Sequence, residues 1–355
     1  MSPAADAPVP PAAPRVSVVV PVLDAPEALA ACLAALSSQV AAPPFEVVVV
    51  DDGSCRDLQP ARVAWHGPGE LVWRRLPVNR GPAAARNHGV AAARGEVVLF
   101  TDADCRPDPG WVAALSRPLL TQPDVVGAKG CYRSGQRDRW ARLAQVEFEE
   151  RYELLAAAGD IDFIDTYSGA YRRAALLAVG GFDEAYPVPD NEDVDLAFRV
   201  HARGGRFVFV REACVVHRHR EGCWRYLRLK LGRGFWRMKV YARHPGKAGR
   251  ESYTPGGLKL QLLLAPLLLG AAVAGLTGGR WRRTVRGVGG GVLAAFLASC
   301  AGLLRAAWRC DPGLLPWVPP FALLRALALA AGMLGGLVCF LPEWWRGAKT
   351  PAPGA

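Results

Sequence analysis

A short apolar segment that ends in two carboxylates constrains this chain more than any other stretch. Val97-Val98-Leu99-Phe100 is followed directly by Thr101-Asp102-Ala103-Asp104. An unbroken apolar run of this length predicts a strand that is buried on both faces, as in a parallel sheet covered by helices. Ligands of open α/β sheets bind beyond the carboxyl ends of the strands. Asp102 and Asp104 are therefore candidates for holding a divalent cation and a phosphate, although Asp-Ala-Asp also suits a solvated turn that caps a helix.

Two earlier segments repeat this pattern. Residues 15–21 and 46–50 predict buried strands, and the helical spacing of apolar residues in 27–38 places a helix between them. The second strand runs into Asp51-Asp52-Gly53-Ser54. In a doubly wound sheet, Asp24, Asp51 and Asp52 would lie at the same edge as Asp102 and Asp104. Their carboxylates can accept hydrogen bonds from a base or a ribose, but an ordinary turn with a helix cap explains the tetrapeptide equally well.

An arginine-containing helix is expected next. An Asn79-Arg80-Gly81 turn precedes an alanine-rich stretch that ends at Arg94-Gly95, where the glycine is suited to close a helix. Arg86 would lie in the first turns of that helix. Its guanidinium would then be close enough to the sheet edge to contact a phosphate or a base.

Charge and cysteine usage limit the partners of the chain. The formal net charge is +11, and many basic residues fall between Arg211 and Arg286, beside the apolar end. This arrangement favours a membrane surface over nucleic acid, and no zinc-finger spacing or RNA-binding signature is present. The nine cysteines include no Cys-x-x-Cys pair, which predicts reduced thiols and a cytosolic catalytic face.

The apolar residues are concentrated near the carboxyl end. Leu260 to Thr277, Gly287 to Leu304 and Phe321 to Phe340 each approach the roughly 20 residues needed to cross a bilayer. Arginines at 280, 282, 283 and 286 follow the first stretch, and the positive-inside rule would keep them in the cytoplasm. We therefore expect the first stretch to be re-entrant or interfacial and the other two to span, in preference to three spans.

Six short motifs, taken in order, resemble glycosyltransferase family 2, whose members are inverting nucleotide-sugar transferases with the fold called GT-A. The motifs are Val18-Val19-Val20-Pro21, Val50-Asp51-Asp52-Gly53-Ser54, Asn79-Arg80-Gly81 with Ala85-Arg86-Asn87, Thr101-Asp102-Ala103-Asp104, Gly180-Gly181-Phe182-Asp183-Glu184 and Glu192-Asp193-Val194-Asp195-Leu196. The resemblance covers roughly residues 15 to 220. It implies an α/β fold, in which a Rossmann-like, mostly parallel sheet is flanked by helices and followed by transmembrane helices.

The resemblance also implies roles for individual residues. The nucleotide-sugar would be bound by Pro21, Asp24, Asp51, Asp52, Arg86, Asp102, Ala103 and Asp104. Asp104 would be the direct ligand of Mg²⁺ or Mn²⁺, with Asp102 beside it and His217 as a further candidate ligand. The acceptor would be contacted by Gly181, Phe182, Asp183 and Glu192.

The acidic motif at 192–196 provides the candidate general base. The resemblance implies that role for Asp193, with Glu192 as the alternative. Inversion at the anomeric carbon requires a hydroxyl to attack from the face opposite the leaving diphosphate and to lose its proton as it attacks. Crowding of Asn191, Glu192, Asp193 and Asp195 would raise the pKa of at least one carboxyl group. For Asp195 the alternative is an ordinary helix residue that pairs with Arg199.

These observations predict a membrane-bound enzyme that transfers one sugar from a UDP- or GDP-sugar to a lipid-linked or envelope-glycan hydroxyl. Residues 224–237 predict an amphipathic helix at the bilayer surface, and they lack the Gln-x-x-Arg-Trp motif of processive synthases. The alternatives are an inactive membrane-anchored scaffold and a sugar nucleotidyltransferase, although the glycine-rich loop of the latter is missing after Val20. The expected location is the inner membrane, with several passes and a cytoplasmic catalytic domain.

The expected domain organisation has five parts. They are a disordered, alanine- and proline-rich tail over 1–14 that is not a signal peptide, a GT-A domain over 15–220, an interfacial segment over 221–257, membrane helices over 258–342 and a tail over 343–355.

Overall fold

A mixed eight-stranded sheet organises the first two thirds of the chain. The computed structural model describes residues 13–186, 190–276 and 282–347. The strands are β1 (Val16–Val22), β2 (Phe45–Asp51), β3 (Leu71–Arg75), β4 (Val97–Phe100), β5 (Arg106–Pro107), β6 (Val125–Arg133), β7 (Gly169–Arg172) and β8 (Arg206–Val216). The helices between them are α1 (Pro26–Ser37), α2 (Gln59–Val63), α3 (Pro82–Ala92), α4 (Trp111–Thr121), α5 (Arg139–Ala157), α6 (Arg173–Ala178) and α7 (Glu192–His201). Of the predicted tails, residues 1–12 and 348–355 lie outside the described residues.

The strand order places the carboxyl ends of β1, β2 and β4 at one edge. The order is β3-β2-β1-β4-β7-β6-β8-β5, and β1 is parallel to both β2 and β4. The valines of β1, β2 and β4 are almost completely buried, as expected for strands covered on both faces. The α/β prediction is confirmed. The sheet is less uniformly parallel than expected, because β7 runs antiparallel to both of its neighbours.

Five helices follow the sheet. They are α8 (Cys223–Arg243), α9 (Gly256–Leu276), α10 (Arg282–Ser299), α11 (Ala301–Cys310) and α12 (Val318–Gly347). The backbones of α8 and α12 touch at three glycines. A Cβ atom on Gly234 would lie 2.3 Å from the carbonyl oxygen of Leu329, and one on Gly332 would lie 2.0 Å from that of Leu231. Gly336 makes the same kind of approach to Phe235. The helix predicted at the bilayer surface is thus joined to the last helix by close backbone contact.

Within residues 13–186, 190–276 and 282–347, two helices are long and apolar enough to cross a membrane, or three spans result if the bent pair of α10 and α11 counts as one. Gly256–Leu276 has a mean hydropathy of 1.8, and Pro312–Pro342, which contains most of α12, has a mean hydropathy of 2.0. The first apolar stretch, expected to be re-entrant or interfacial, is a continuous helix up to Leu276. The second is the one that bends, by 42° between α10 and α11. The continuity of the helix in the first stretch argues against a re-entrant loop, whereas an interfacial position for it stays a prediction.

A buried ion cluster ties these helices to the sheet domain. The Glu147 carboxylate on α5 accepts hydrogen bonds from Tyr226, Lys230 and Arg151, each at 2.7 Å. Arg325 of α12 approaches the same carboxylate to 3.8 Å and donates to Gln261 of α9 at 2.7 Å. Burial alone would raise the pKa of Glu147, but the surrounding cations hold it well below its usual range.

We expect Glu147→Gln to destabilise the protein strongly, because it leaves buried cations without a compensating charge. Loss of one partner from a buried ion pair typically costs about 3–5 kcal/mol. The matched control is Glu153→Gln on the same helix, where a more exposed carboxylate pairs with Arg309 and the expected cost is about 1 kcal/mol or less. Thermal unfolding in detergent measures both. Equal shifts in Tm for the two variants would contradict a larger contribution of the buried cluster to the stability of the protein.

Candidate active site

Arg86 lies at the centre of the candidate site. It is 3% exposed and joins three elements, since it belongs to α3 and its two terminal nitrogens contact residues outside that helix. One donates to Asp102 after β4 at 2.8 Å, and the other donates to Glu192 at the start of α7 at 2.7 Å. The sequence predicts Arg86 close to the sheet edge, and its contact with Asp102 at the end of β4 places it there.

The loop after β2 sets the position of α3. The Asp52 carboxylate accepts hydrogen bonds from the backbone N–H groups of Arg80 at 2.8 Å and Gly81 at 2.9 Å. Gly53 has a φ of +77°, and a Cβ there would lie 2.6 Å from the backbone carbon of Val78. Glycine is needed at this position for both reasons. Asp52 therefore fixes the turn from which Arg86 is presented.

Asp24 and Asp51 hold neighbouring loops together. Asp51 is buried, accepts a hydrogen bond from Ser54 N–H at 2.8 Å and pairs with Arg75 at 2.9 Å. The Asp24 carboxylate accepts from the N–H groups of Cys55 and Arg56 at 2.7 and 2.9 Å. These carboxylates lie at the predicted edge, and these contacts connect the loops after β1 and β2.

Two adjoining cavities open at this edge. The first, which we call the edge cleft, measures about 470 Å³ and includes Pro21, Asp52, Arg86, Asp102, Asp104 and His217 in its lining. The second, which we call the inner cavity, measures about 270 Å³ and includes Asp165, Asp190, Glu192, Asp193, Arg237 and Tyr253. Arg86, Asp102, His217, Lys230 and Arg233 line both. Asp24, Asp51 and Ala103 are absent from both linings.

The acidic residues before and within α7 face the inner cavity in an unusual electrostatic environment. Burial and the charge of Asp193 raise the pKa of Glu192 to about 7, despite Arg86. Burial and nearby Asp165 raise the pKa of Asp193 as well. Burial raises the pKa of Asp190 to about 6. Asp195 instead pairs with Arg199 at 2.8 Å and His244 at 3.0 Å. The crowding expected from the sequence thus acts on the residues that face the cavity.

Asp104 and His217 form the candidate metal centre. Asp104 Oδ2 lies 3.4 Å from His217 Nε2, and the ligand atoms of Asp104, Cys105 and His217 all lie within 4.8 Å of one another. Burial would raise the pKa of Asp104, but its contact with His217 lowers it below the ordinary value. One oxygen of the Asp102 carboxylate accepts a hydrogen bond from Arg86. Oxygen and imidazole ligands fit a small divalent cation, and Asp104 is placed to supply the charge.

The glycine-rich loop before α7 supports Arg86 from outside the cavities. Asn87 Oδ1 accepts a hydrogen bond from Phe182 N–H at 2.8 Å, and Gly181, with a φ of +73°, leaves no room for a Cβ beside that oxygen. The Phe182 ring lies 5.7 Å from the Arg86 guanidinium, and Asp183 pairs with Arg243 of α8. Gly181, Phe182 and Asp183 line neither cavity, whereas Glu192 lines the inner one.

Residues of α8 were not among the predicted site residues. Lys230 and Arg233 lie where the two cavities meet, together with Tyr132 and Phe148. The alternation of arginines and aromatic residues between 224 and 237 was interpreted as a bilayer contact. The same amphipathic pattern also places basic groups on the face that closes the site.

Comparison with known proteins indicates the class of protein to which this fold is similar. Residues 17–180 match the model of the family "Glycosyl transferase family 2". The pre-mycofactocin glycosyltransferase of Mycobacterium tuberculosis is 28% identical over 96% of this chain and 74% of its own length. The succinoglycan biosynthesis protein ExoU of Rhizobium meliloti is 39% identical over 50% of this chain and 54% of its own. A mannosyltransferase from Pyrobaculum calidifontis, solved with GDP-Man and Mn²⁺, superposes with a TM-score of 0.50 at 21% identity, covering 93% of this chain and 89% of its own.

The fold and the site together define a glycosyltransferase with the GT-A fold that uses a nucleotide-sugar donor. Its similarity to glycosyltransferase family 2 lies in residues 17–180, which include the strands, loops and helix that carry Asp52, Arg86, Asp102 and Asp104.

We expect Asp190→Asn to stabilise the protein at pH 8. The pKa of Asp190 is about 6 in the folded protein, above its ordinary value, so ionisation opposes folding above pH 6 and the penalty disappears as the pH falls towards 4. The gain at pH 8 should be about 2 kcal/mol, allowing for partial exposure.

The control for this substitution is Asp162→Asn. Burial would raise the pKa of Asp162, but hydrogen bonds from Lys247 and Ser252 lower it. Its removal should therefore destabilise the protein at pH 8, by an amount that shrinks on acidification. Thermal unfolding at pH 8, 6 and 4.5 distinguishes a gain of stability in Asp190→Asn from a loss in Asp162→Asn. A loss of stability in Asp190→Asn at pH 8 would contradict the raised pKa of Asp190.

Proposed function

We propose that this glycosyltransferase transfers a single sugar, with inversion, from a UDP- or GDP-sugar to a hydroxyl of a lipid-linked or envelope-glycan acceptor. One observation carries the proposal. Asp193 faces the inner cavity, and Arg86 and Asp102 line both that cavity and the edge cleft. A donor in the edge cleft would therefore present its anomeric carbon beside a carboxylate that faces a second opening.

Asp193 is assigned as the general base. Its raised pKa makes it a stronger proton acceptor than an ordinary aspartate, which suits removal of a proton from an attacking hydroxyl. Glu192 is less suitable because its carboxylate accepts a hydrogen bond from Arg86 at 2.7 Å. The role of Glu192 is to keep Arg86 in place and to complete the acceptor side of the site.

The leaving diphosphate is assigned to the basic residues around the edge cleft. Arg233 lies at its junction with the inner cavity, and Arg218 and Arg220 line it further out, whereas Lys230 at the same junction is paired with Glu147. Pro21, Asp24, Asp51, Asp52, Asp102 and Ala103 would bind or frame the nucleotide, as the family resemblance implies. Asp104 and His217 would hold Mn²⁺ or Mg²⁺, which when bound offsets negative charge on the diphosphate.

The apolar helices suggest where this reaction takes place. We assign residues 15–220 as the catalytic domain, 221–257 as an interfacial segment and 258–342 as membrane helices. Nucleotide-sugars are cytosolic metabolites, so the catalytic domain would face the cytoplasm from the inner membrane. The two alternatives from the sequence, a scaffold and a nucleotidyltransferase, are not favoured by any contact in the site.

We expect Asp193→Asn to lower the transfer rate by about 10²–10⁴-fold, because the amide cannot accept the proton. Binding of the nucleotide-sugar, measured by calorimetry, should change little. Asp195→Asn is the matched control on the same helix, since Asp195 pairs with Arg199 and lines neither cavity. Release of nucleoside diphosphate from membranes supplied with a donor panel measures the rate. Unchanged turnover in Asp193→Asn would rule out this base.

We expect His217→Ala to raise the Mn²⁺ concentration needed for half-maximal turnover by about tenfold or more, because even outer-shell contacts are worth 10- to 100-fold in metal affinity. His201→Ala is the control, since His201 pairs with Asp160 away from the site. Turnover titrated with Mn²⁺ after treatment with EDTA provides the measurement. An identical titration curve for His217→Ala and wild type would exclude His217 as a ligand.

A further inference from the structure

We propose that the acceptor is an amphiphile with a neutral, hydroxyl-bearing head, and that it enters the inner cavity laterally from the bilayer between α9 and α12. This inference rests on the proposed function, because it takes Asp193 as the base that receives the acceptor's proton. It goes further by assigning the route, the head-group contacts and the charge of the acceptor.

The inner cavity joins a catalytic carboxylate to the membrane helices. Its lining includes Asp193, but it also includes Leu258 and Leu262 of α9 together with Leu329 and Met333 of α12. These are the two helices long and apolar enough to cross a membrane. A water-soluble glycan would leave these aliphatic side chains without an apolar contact, whereas an alkyl or isoprenoid chain would bury its own apolar surface against them.

Between these two regions the cavity contains buried polar atoms without partners. Tyr253 and Glu251 are 3% and 4% exposed, and within the described part of the chain the Tyr253 hydroxyl and Glu251 Oε2 have no hydrogen-bond partner. Arg237 Nη1 is likewise buried without one. Buried polar groups are nearly always paired in folded proteins, so this set indicates a missing ligand. Hydroxyl groups suit all three, because a hydroxyl both donates and accepts.

The charge of the cavity favours a neutral head group. Acidic side chains slightly outnumber basic ones in its lining. The acidic residues of the lining are Asp102, Asp165, Asp190, Glu192, Asp193 and Glu251, and the basic ones are Arg86, Arg151, Lys230, Arg233 and Arg237. This lining offers no net positive charge to a multiply charged anion, whereas a sugar or polyol head needs none. The basic excess lies in the edge cleft, where the diphosphate is assigned.

The test compares acceptors that share one head and differ only in the tail. The full-length protein is placed in phosphatidylcholine nanodiscs and given its donor with methyl, octyl or dodecyl β-glucoside below the micellar concentration. We expect kcat/KM to rise by at least tenfold from methyl to dodecyl, because each buried methylene adds favourable transfer free energy. Equal values for the three glucosides would overturn the proposal.

Variants separate entry through the cavity from simple partition into the bilayer. Leu262→Trp and Leu329→Trp should fill the passage and abolish the dependence on tail length. Leu263→Trp is the matched control, since Leu263 is 67% exposed on the outer face of α9 and should leave the dependence intact. Tyr253→Phe should raise KM for the glucosides with kcat little changed. Identical behaviour of Leu262→Trp and Leu263→Trp would overturn the route.

Two further readouts keep this inference distinct from the proposed function. Slow release of nucleoside diphosphate without acceptor reports the donor site alone, and it should be unchanged in the control variant Leu263→Trp. If no donor in the panel is turned over, the proposed function fails. Photolabelling by a dodecyl glucoside with a diazirine in its tail still tests the route. Labelling of Leu262, Leu329 or Met333 that is prevented by dodecyl glucoside without a diazirine would support lateral entry. Labelling confined to the outer face of α9 would contradict it.

Discussion

The geometry of the site depends on one buried guanidinium. Arg86 is held between Asp102, which follows a strand of the sheet, and Glu192, which begins a helix more than 100 residues further along the chain. A planar guanidinium holds two carboxylates in fixed directions, whereas a lysine ammonium is a compact charge on a flexible stem and does not fix their positions in this way. The two cavities meet at this residue. Arg86 therefore sets the distance between the side of the site assigned to the donor and the carboxylate assigned as base.

The acidic groups next to this arginine are retained at a cost in stability. Burial raises the pKa of Glu192, Asp193 and Asp190, so each resists ionisation in the folded protein. Groups with strongly shifted pKa values are common where a protein carries out proton transfer. The compensation lies elsewhere, in the valine-rich strands and in carboxylates such as Asp51 and Asp52 that are fully hydrogen-bonded. Carboxylates at this edge of the sheet thus have two effects: Asp51 and Asp52 stabilise the fold, whereas Asp190, Glu192 and Asp193 reduce its stability.

Much of the sheet could be predicted because β1, β2 and β4 each contain at least three consecutive apolar residues. Such a run indicates a strand that is buried on both faces. β3 could not be predicted, since it is a partly exposed edge strand, and β5 has only two residues. At the site, sequence order indicated Arg86, Asp102, Asp104 and Asp193. It did not indicate that Phe182 and Asp183 turn away from the cavities, or that Lys230 and Arg233 close them. Those positions depend on how α8 packs, and a helical period specifies which residues share a face but not what that face contacts.

The buried Glu147 cluster has a consequence for biosynthesis. Its carboxylate is neutralised by Lys230, which follows it by more than 80 residues, and by Arg325 from the last helix. While the ribosome is still translating that stretch, the acid in α5 has only Arg151 and water as counterparts. The polypeptide therefore completes this junction only after its final segment has emerged and docked. A nascent chain truncated before α12 would still pair Glu147 with Arg151 and Lys230, but it would lack Arg325 and the link that Arg325 makes to Gln261 of α9.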